Sequence, residues 1–332
     1  MLVLGVETSC DDTAASVLLD GRTILSNLIS SQDEIHGPYG GVVPELASRQ
    51  HIRHIVPILD RALQRAGIGL QDLGGLAVTH GPGLVGSLLV GLSCAKGVAY
   101  RWGIPFVGVN HLEAHLLAVF LEQEVSFPYI ALLASGGHTL LYEVRGFADY
   151  IYLGGTRDDA AGEAYDKVAK MMGLGYPGGK VIDQLAKEGD CRAISFPRCR
   201  LKKGAYDFSF SGLKTAVWHY LKNRGKDRWK HQEADIAASF QEAVVDMLLA
   251  PTLKATRERS AKRIVLAGGV SANSRLRGKF LEKARTEGYE VYFPSPALCT
   301  DNGAMIALTG HYWLRRGRRD DFRINADADL TL

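Results

Sequence analysis

Several short signatures that would declare a function are missing from these 332 residues. No Cys-x-x-Cys pair occurs, and the five cysteines, Cys10, Cys94, Cys191, Cys199 and Cys299, are scattered and odd in number. That pattern suits reduced thiols in a cytosol rather than a disulfide framework. No GxxxxGK[ST] phosphate loop is present, so any P-loop ATPase chemistry belongs to another protein. No HExxH occurs, which argues against a zincin protease. No apolar run reaches the ~18 residues that span a bilayer. The N-terminus opens into a strand without a basic leader region, and the expected location is cytoplasmic, with no membrane partner. Net charge is only +3, too little to demand a nucleic-acid partner.

What remains is ordinary globular composition, 46% hydrophobic and 23% charged, in a chain long enough for two domains. The positive charge is nevertheless clustered. Lys222, Arg224, Lys226, Arg228 and Lys230 alternate along one stretch. Arg192, Arg198, Arg200, Lys202 and Lys203 form a second group, and Arg315, Arg316, Arg318 and Arg319 a third. Such clusters can meet a phosphate backbone, or they can be solvated faces.

The densest chemical signal is His111-Leu-Glu-Ala-His115 in a segment that reads as helix. Two imidazoles four residues apart lie on one face, one turn apart, and can chelate one metal ion. Glu113 follows the first histidine by two positions and therefore points elsewhere. A pair of ordinary half-buried histidines has the same spacing, and a metal needs a third ligand from elsewhere in the chain.

Strands and helices alternate, which implies an α/β protein. A weak repeat runs through it. Val3 to Thr13 is a strand entering a polar turn, with Ala14 to Leu19 returning. Tyr129 to Thr139 does the same, with Leu140 to Val144 returning. Both turns carry small and hydroxylated residues that can present backbone N–H groups to phosphate oxygens. Each half then holds a strand, a glycine turn and a helix: Gly75 to Gly83 with Leu84 to Tyr100, and Arg263 to Val270 with a helix from near Ser271. Two like-built halves facing each other would enclose a cleft.

This order of motifs resembles the actin, Hsp70 and sugar-kinase (ASKHA) superfamily of two-lobed nucleotide-binding proteins. More narrowly it is similar to the bacterial TsaD family of tRNA N6-adenosine threonylcarbamoyltransferases. The resemblance covers nearly the whole chain. It rests on Glu7-Thr-Ser-Cys-Asp11, Gly40-Gly-Val-Val-Pro-Glu-Leu-Ala-Ser-Arg49, Gly81-Pro-Gly-Leu-Val-Gly86, His111-x3-His115 and Ser135-Gly-Gly-His-Thr139. Asp158-Asp-Ala-Ala-Gly-Glu-Ala-Tyr-Asp166, Tyr176-Pro-Gly-Gly179 and Phe208-Ser-Phe-Ser-Gly-Leu-Lys-Thr215 continue it, and Gly268-Gly-Val-Ser-Ala-Asn273 and Cys299-Thr-Asp-Asn-Gly303 complete it. A paralogous partner, TsaB, shares the fold but usually lacks the paired histidines.

The resemblance implies an α/β fold of two lobes, each a mixed sheet flanked by helices. The first lobe is expected over 1–110, joined by the C-terminal helix at about 303–332. The second, over 111–302, is expected to carry most of the substrate site. Asp301 is implied as the third metal ligand beside His111 and His115. One divalent ion per subunit follows, Fe(2+) by the family pattern, with zinc, manganese or magnesium as alternatives. Asp301 could instead cap the helix after it. Leu133, Ala134, Ser135, Gly136, Gly137 and His138 are implied to line the substrate, with Asp166, Gly179, Asp183 and Asn273 at the sugar and base. Taken singly, Asp166 and Asp183 would be surface carboxylates.

The implied reaction is transfer of the threonylcarbamoyl group from threonylcarbamoyl-AMP to N6 of tRNA adenosine 37, with an adenine nucleotide able to occupy the same site. Asp11 is the expected general base, with Asp12 beside it; the family commonly has Asp-Glu here, so a direct role for position 12 is less secure. The implied partners are tRNA, a TsaB-like paralogue docking near His36 to His54, a TsaE-like P-loop ATPase, and the enzyme that supplies threonylcarbamoyl-AMP. The competing readings are a same-fold kinase, a metal-dependent endopeptidase, and a non-catalytic nucleotide-binding scaffold.

Overall fold

The computed structural model describes residues 1–199 and 206–332. Arg200, Lys202 and Lys203 of the second basic group lie outside the described residues. The chain forms two compact units, one of residues 1–124 and 300–332, the other of residues 125–299.

Each unit is built on one five-stranded mixed sheet. In the first, β1 (Leu2–Glu7), β2 (Thr13–Leu19) and β3 (Thr23–Ser30) form an antiparallel meander. β4 (Gly75–Gly81) and β5 (Phe106–Asn110) then add in parallel beside β1. The order is β3-β2-β1-β4-β5. In the second, β6 (Tyr129–Ala134), β7 (Thr139–Gly146) and β8 (Asp149–Gly155) make the meander. β9 (Arg263–Ala267) and β10 (Glu290–Tyr292) add in parallel beside β6, giving β10-β9-β6-β7-β8. The internal repeat in the sequence is thus a repeated topology. β3 and β8, the third strands, did not stand out as sequence because they are edge strands of mixed burial.

The parallel additions need crossover helices. Pro44–Ala66 precedes β4 and Val85–Trp102 precedes β5. Pro44 starts its helix at a position where a missing N–H costs nothing. Leu4, Val6, Ala15, Val17, Leu76, Val78 and Phe106 meet Ile55, Ile58, Leu59, Leu92 and Ala95 in the first core. The second core joins Ile130, Leu132 and Leu141 to Val168, Phe210, Phe240 and Phe280.

The helix Gly303–Arg315 belongs to the first unit, where it lies directly on the sheet. Glycine permits that approach. A Cβ on Gly5 would come within 2.2 Å of the Gly303 carbonyl oxygen, and one on Gly310 within 2.1 Å of Ala77 Cβ. One stretch, Lys226–Glu258, meets the length and composition of a membrane span, contrary to the sequence expectation of none. Its apolar window is 83% buried inside the protein, so this surface is core packing.

Candidate metal centre and substrate-facing turn

β5 ends at Asn110, whose side-chain oxygen accepts the Leu112 and Glu113 amides and starts the helix His111–Leu117. The cap fixes where the first turn of that helix begins. His111 and His115 therefore emerge one turn apart, 7% and 1% exposed. Their ring centroids are 4.6 Å apart. Asp301 Oδ1 lies 3.1 Å from His115 Nε2 and 3.6 Å from His111 Nε2. One donor atom from each of the three residues falls within 4.8 Å of the others. Asp301 is not the cap of the helix that follows it. Asn302 is, accepting the Met305 amide at 3.0 Å. Glu113 turns away from the trio and accepts Trp313 Nε1–H at 3.0 Å.

Behind the trio stands Glu7, fully buried at the end of β1. It accepts His111 Nδ1–H at 3.0 Å, the Thr79 hydroxyl at 2.6 Å and the Ser9 amide. Ser9 Oγ also lies 3.2 Å from His111 Nδ1. Burial would push the Glu7 carboxyl up, but the charge and hydrogen bond of His111, aided by Thr79, hold it below its ordinary value. Burial would likewise depress His111, yet Glu7 and then Asp301 raise it to about 9. A proton fixed on Nδ1 leaves the Nε2 lone pair for a cation, and a carboxylate behind an imidazole raises its strength as a ligand. Two neutral imidazoles and one carboxylate suit a divalent transition metal with open coordination positions. These residues fit such an ion.

Asp11 and Asp12 occupy the turn between β1 and β2. Burial, with repulsion from Asp301 and Asp33, raises Asp11, although Cys10 and His36 offset part of it. Burial, then Asp301 and Asp11, raise Asp12 to about 8. His51 braces this turn, with Nδ1 2.8 Å from Thr13 Oγ1 and Nε2 donating to the Cys10 carbonyl at 2.9 Å.

The second unit holds the other expected residues. Leu133 and Ala134 end β6, and Ser135, Gly136, Gly137 and His138 make the turn to β7. Ser135 N–H donates to the His138 carbonyl, and Ser135 Oγ accepts the His138 amide. The first turn of the helix Ala161–Met172 abuts it: the Gly162 amide donates to the Ser135 carbonyl and the Ala161 amide to Thr139 Oγ1. Gly268, at φ +82°, presses on the same place, and a Cβ there would sit 2.5 Å from the Ala134 carbonyl oxygen.

Asp166 accepts the Gly178 amide at 2.7 Å, next to Gly179 at the start of Gly178–Leu185. Asp183 accepts both the amide and the hydroxyl of Ser274. Asn273 caps the helix Ser274–Glu287 through its side-chain oxygen and donates to Gln241 at 2.6 Å. That cap explains why the helix begins at Ser274 rather than near Ser271. Asp166, Asp183 and Asn273 thus form a hydrogen-bonded frame joining four helices, Ala161–Met172, Gly178–Leu185, Glu233–Glu258 and Ser274–Glu287.

Sequence reasoning gave Glu7, Thr79 and Asn110 no role. One signal was available for Glu7: a carboxylate closing the apolar strand Leu2–Glu7 must find partners inside.

A model of the TsaD family, tRNA N6-adenosine threonylcarbamoyltransferase, matches residues 23–308. A protein of that name from Syntrophus aciditrophicus is 53% identical over 98% of this chain and 96% of its own length. One from Anaeromyxobacter dehalogenans is 55% identical over 99% of each chain. Among solved structures, component A of (R)-2-hydroxyglutaryl-CoA dehydratase from Acidaminococcus fermentans superposes with a TM-score of 0.58 at 16% identity, covering 94% of this chain and 98% of that one. At that identity the likeness concerns the fold alone.

Proposed function

Because the chain belongs to the tRNA N6-adenosine threonylcarbamoyltransferase family and forms threonylcarbamoyl-adenosine at position 37 of tRNA, we propose the following division of labour between its residues. His111, His115 and Asp301 hold one divalent ion, Fe(2+) by the family pattern; affinity order alone does not choose among iron, zinc and manganese. When bound, such an ion supplies Lewis acidity toward the donor's carbonyl or carboxylate oxygens. Glu7 orients His111 and keeps its proton on Nδ1.

The N6 amine of adenosine attacks the carbamoyl carbon of threonylcarbamoyl-AMP. The new C–N bond forms, the C–O bond to phosphate breaks, and AMP leaves. Asp11 accepts the proton that N6 loses, and burial, which raises its carboxyl above the ordinary aspartate value, favours that role. Asp12, raised further, shares the local proton. In the second unit, the Ser135–His138 turn presents the exposed Gly136 and Gly137 backbone to the donor's phosphate. Asp166 and Asp183 face the ribose hydroxyls, and Gly179 allows close backbone approach. Asn273 keeps this frame in register and turns its remaining polar capacity to the adenine.

A paralogous TsaB-like partner would dock on Pro44–Ala66 and Val85–Trp102. Ile52, Val56, Val85 and Leu89 are 64%, 65%, 54% and 41% exposed on these adjacent helices, an apolar surface suited to another helix pair. The TsaE-like ATPase and the enzyme making threonylcarbamoyl-AMP remain separate proteins in this scheme, and the protein works in the cytoplasm.

One observation carries this reading: positions 111, 115 and 301, the family's metal pattern, present donor atoms within 4.8 Å. Its test is nucleoside mass spectrometry of unmodified tRNA incubated with threonylcarbamoyl-AMP, this protein and its partners. The expected result is threonylcarbamoyl-adenosine that vanishes when this protein is omitted. Its formation without this protein would overturn the reading.

A further inference from the structure

Three basic clusters stand in the sequence, and the structure treats them differently. In the third, Arg318 pairs with Asp320 and lies over the Trp313 ring, Arg319 donates to the Leu314 carbonyl, and Arg316 packs on Tyr312. These groups finish the helix Gly303–Arg315. In the second, of which the structure describes Arg192 and Arg198, Arg198 pairs with Asp246.

The first cluster is otherwise. The helix Ser211–Arg224 breaks at Gly225, and a short turn of helix, Lys226–Trp229, follows. Trp229 is buried and pins this break to the core of its unit. Around it Lys222, Arg224, Lys226 and Arg228 are all exposed. Among the described residues no carboxylate lies within ion-pair distance of these four, whereas Lys230 reaches Glu233. Asp227 is the one acid among five cations in this stretch. Lys222 lies over the ring of Trp218, which is 43% exposed, and Arg224 over that of Tyr220.

We propose that this basic, tryptophan-bearing turn at the end of Ser211–Arg224 is a contact surface for the phosphate backbone of the tRNA substrate. The inference rests on the functional reading above. Unpaired cations held on a fixed turn release counterions when they meet phosphates, and an exposed indole can stack on an unpaired base. The position also fits. The start of Ser211–Arg224 is tied to the Asp158–Asp159 loop, which leads into the helix abutting the Ser135 turn: Phe210 and Ser211 amides donate to Asp158, and Lys214 pairs with Asp159. Fourteen residues of helix carry the basic end about 20 Å from that anchor. The helix acts as a spacer between the end that leads to the substrate-facing turn and a grip on neighbouring nucleotides. An acidic protein partner would use the same charge but has no need of the exposed indole.

The test uses the full-length protein with its partners and unmodified tRNA. Two variants are compared with wild type: Lys222→Gln/Arg224→Gln/Lys226→Gln/Arg228→Gln, and Trp218→Ala. For the fourfold variant, the slope of log affinity against log salt should become shallower by roughly two to three. Its KM for tRNA should rise about tenfold or more, with kcat at saturating tRNA and KM for threonylcarbamoyl-AMP unchanged. Trp218→Ala should raise the tRNA KM without changing the salt slope. An unchanged salt slope and tRNA KM in the fourfold variant, with wild type active, would overturn this surface alone. Wild type that gives no tRNA product would overturn the functional reading and the surface with it.

Discussion

Glu7 Oε2 accepts the Nδ1 proton of His111 at 3.0 Å, and both side chains are buried. His115 has no such support: its Nδ1 is buried without a hydrogen-bond partner among the described residues. The two imidazoles are therefore unequal as ligands. His111 is held in one tautomer and made more basic by the carboxylate behind it, whereas His115 owes its position to the helix and to Asp301.

Replacing that carboxylate tests the relationship directly. Glu7→Gln keeps the shape and an acceptor but removes the charge. Metal affinity should fall roughly 10- to 100-fold, the usual cost of losing an outer-shell partner. Calorimetric titration with Zn(2+) or Co(2+) checks this, and an unchanged affinity would reduce Glu7 to a buried structural acid.

Removing a ligand should act more severely. His115→Ala or Asp301→Ala should take bound metal from one ion per chain to none. Transfer should fall on the order of a hundredfold or more, because Lewis-acid assistance contributes several kcal/mol to such barriers. Elemental analysis and nucleoside quantification read the two effects. Full transfer by metal-free protein would favour a non-catalytic role for the ion.

Asp12 makes stability depend on pH in a definite direction. Its folded-state pKa, raised to about 8, lies far above the ordinary value of an aspartate, so the folded protein holds the proton more tightly than the unfolded chain. This contribution is fully present below the unfolded value and is lost as pH rises toward 8. The metal-free Asp12→Asn variant should therefore melt higher than wild type at pH 8 and close to it at pH 4. Thermal melts across that range would show parallel curves if Asp12 ionised normally.

Gly268 carries a backbone prediction. At φ +82° and ψ 165° it occupies a region open essentially to glycine alone. Gly268→Ala should cost on the order of 1–3 kcal/mol from strain, and more from the clash with Ala134. The displaced Ala134–His138 turn should raise KM for threonylcarbamoyl-AMP more than it lowers kcat. Steady-state kinetics with denaturant unfolding separates the two effects.

Some of this architecture could be read locally. Strand β1, the hairpin turns at 8–12 and 135–138, and the paired histidines all announce themselves over short spans, because period, turn chemistry and i,i+4 spacing are local properties. The repeated order of strand, turn, strand and crossover pointed to two like-built halves, and the family resemblance implied that each holds a mixed sheet. The start of the helix after Gly268 was misplaced by a few residues because an asparagine cap, and not the glycines, decides it. The apolar content of Lys226–Glu258 was underestimated because Glu242 and Asp246 interrupt the apolar run within its buried middle.

The sequence by itself determined the donor types, their spacing on one helix, and the family to which the chain belongs, since these are written in residue order. Only the tertiary structure decided that Asp301 turns to the histidines while Asn302 takes the cap, and that Glu7 reaches His111 across 104 positions of chain. It also decided that Lys222, Arg224, Lys226 and Arg228 stand exposed with no carboxylate within ion-pair distance among the described residues. Those outcomes depend on which distant groups share a buried volume, and no local pattern encodes that.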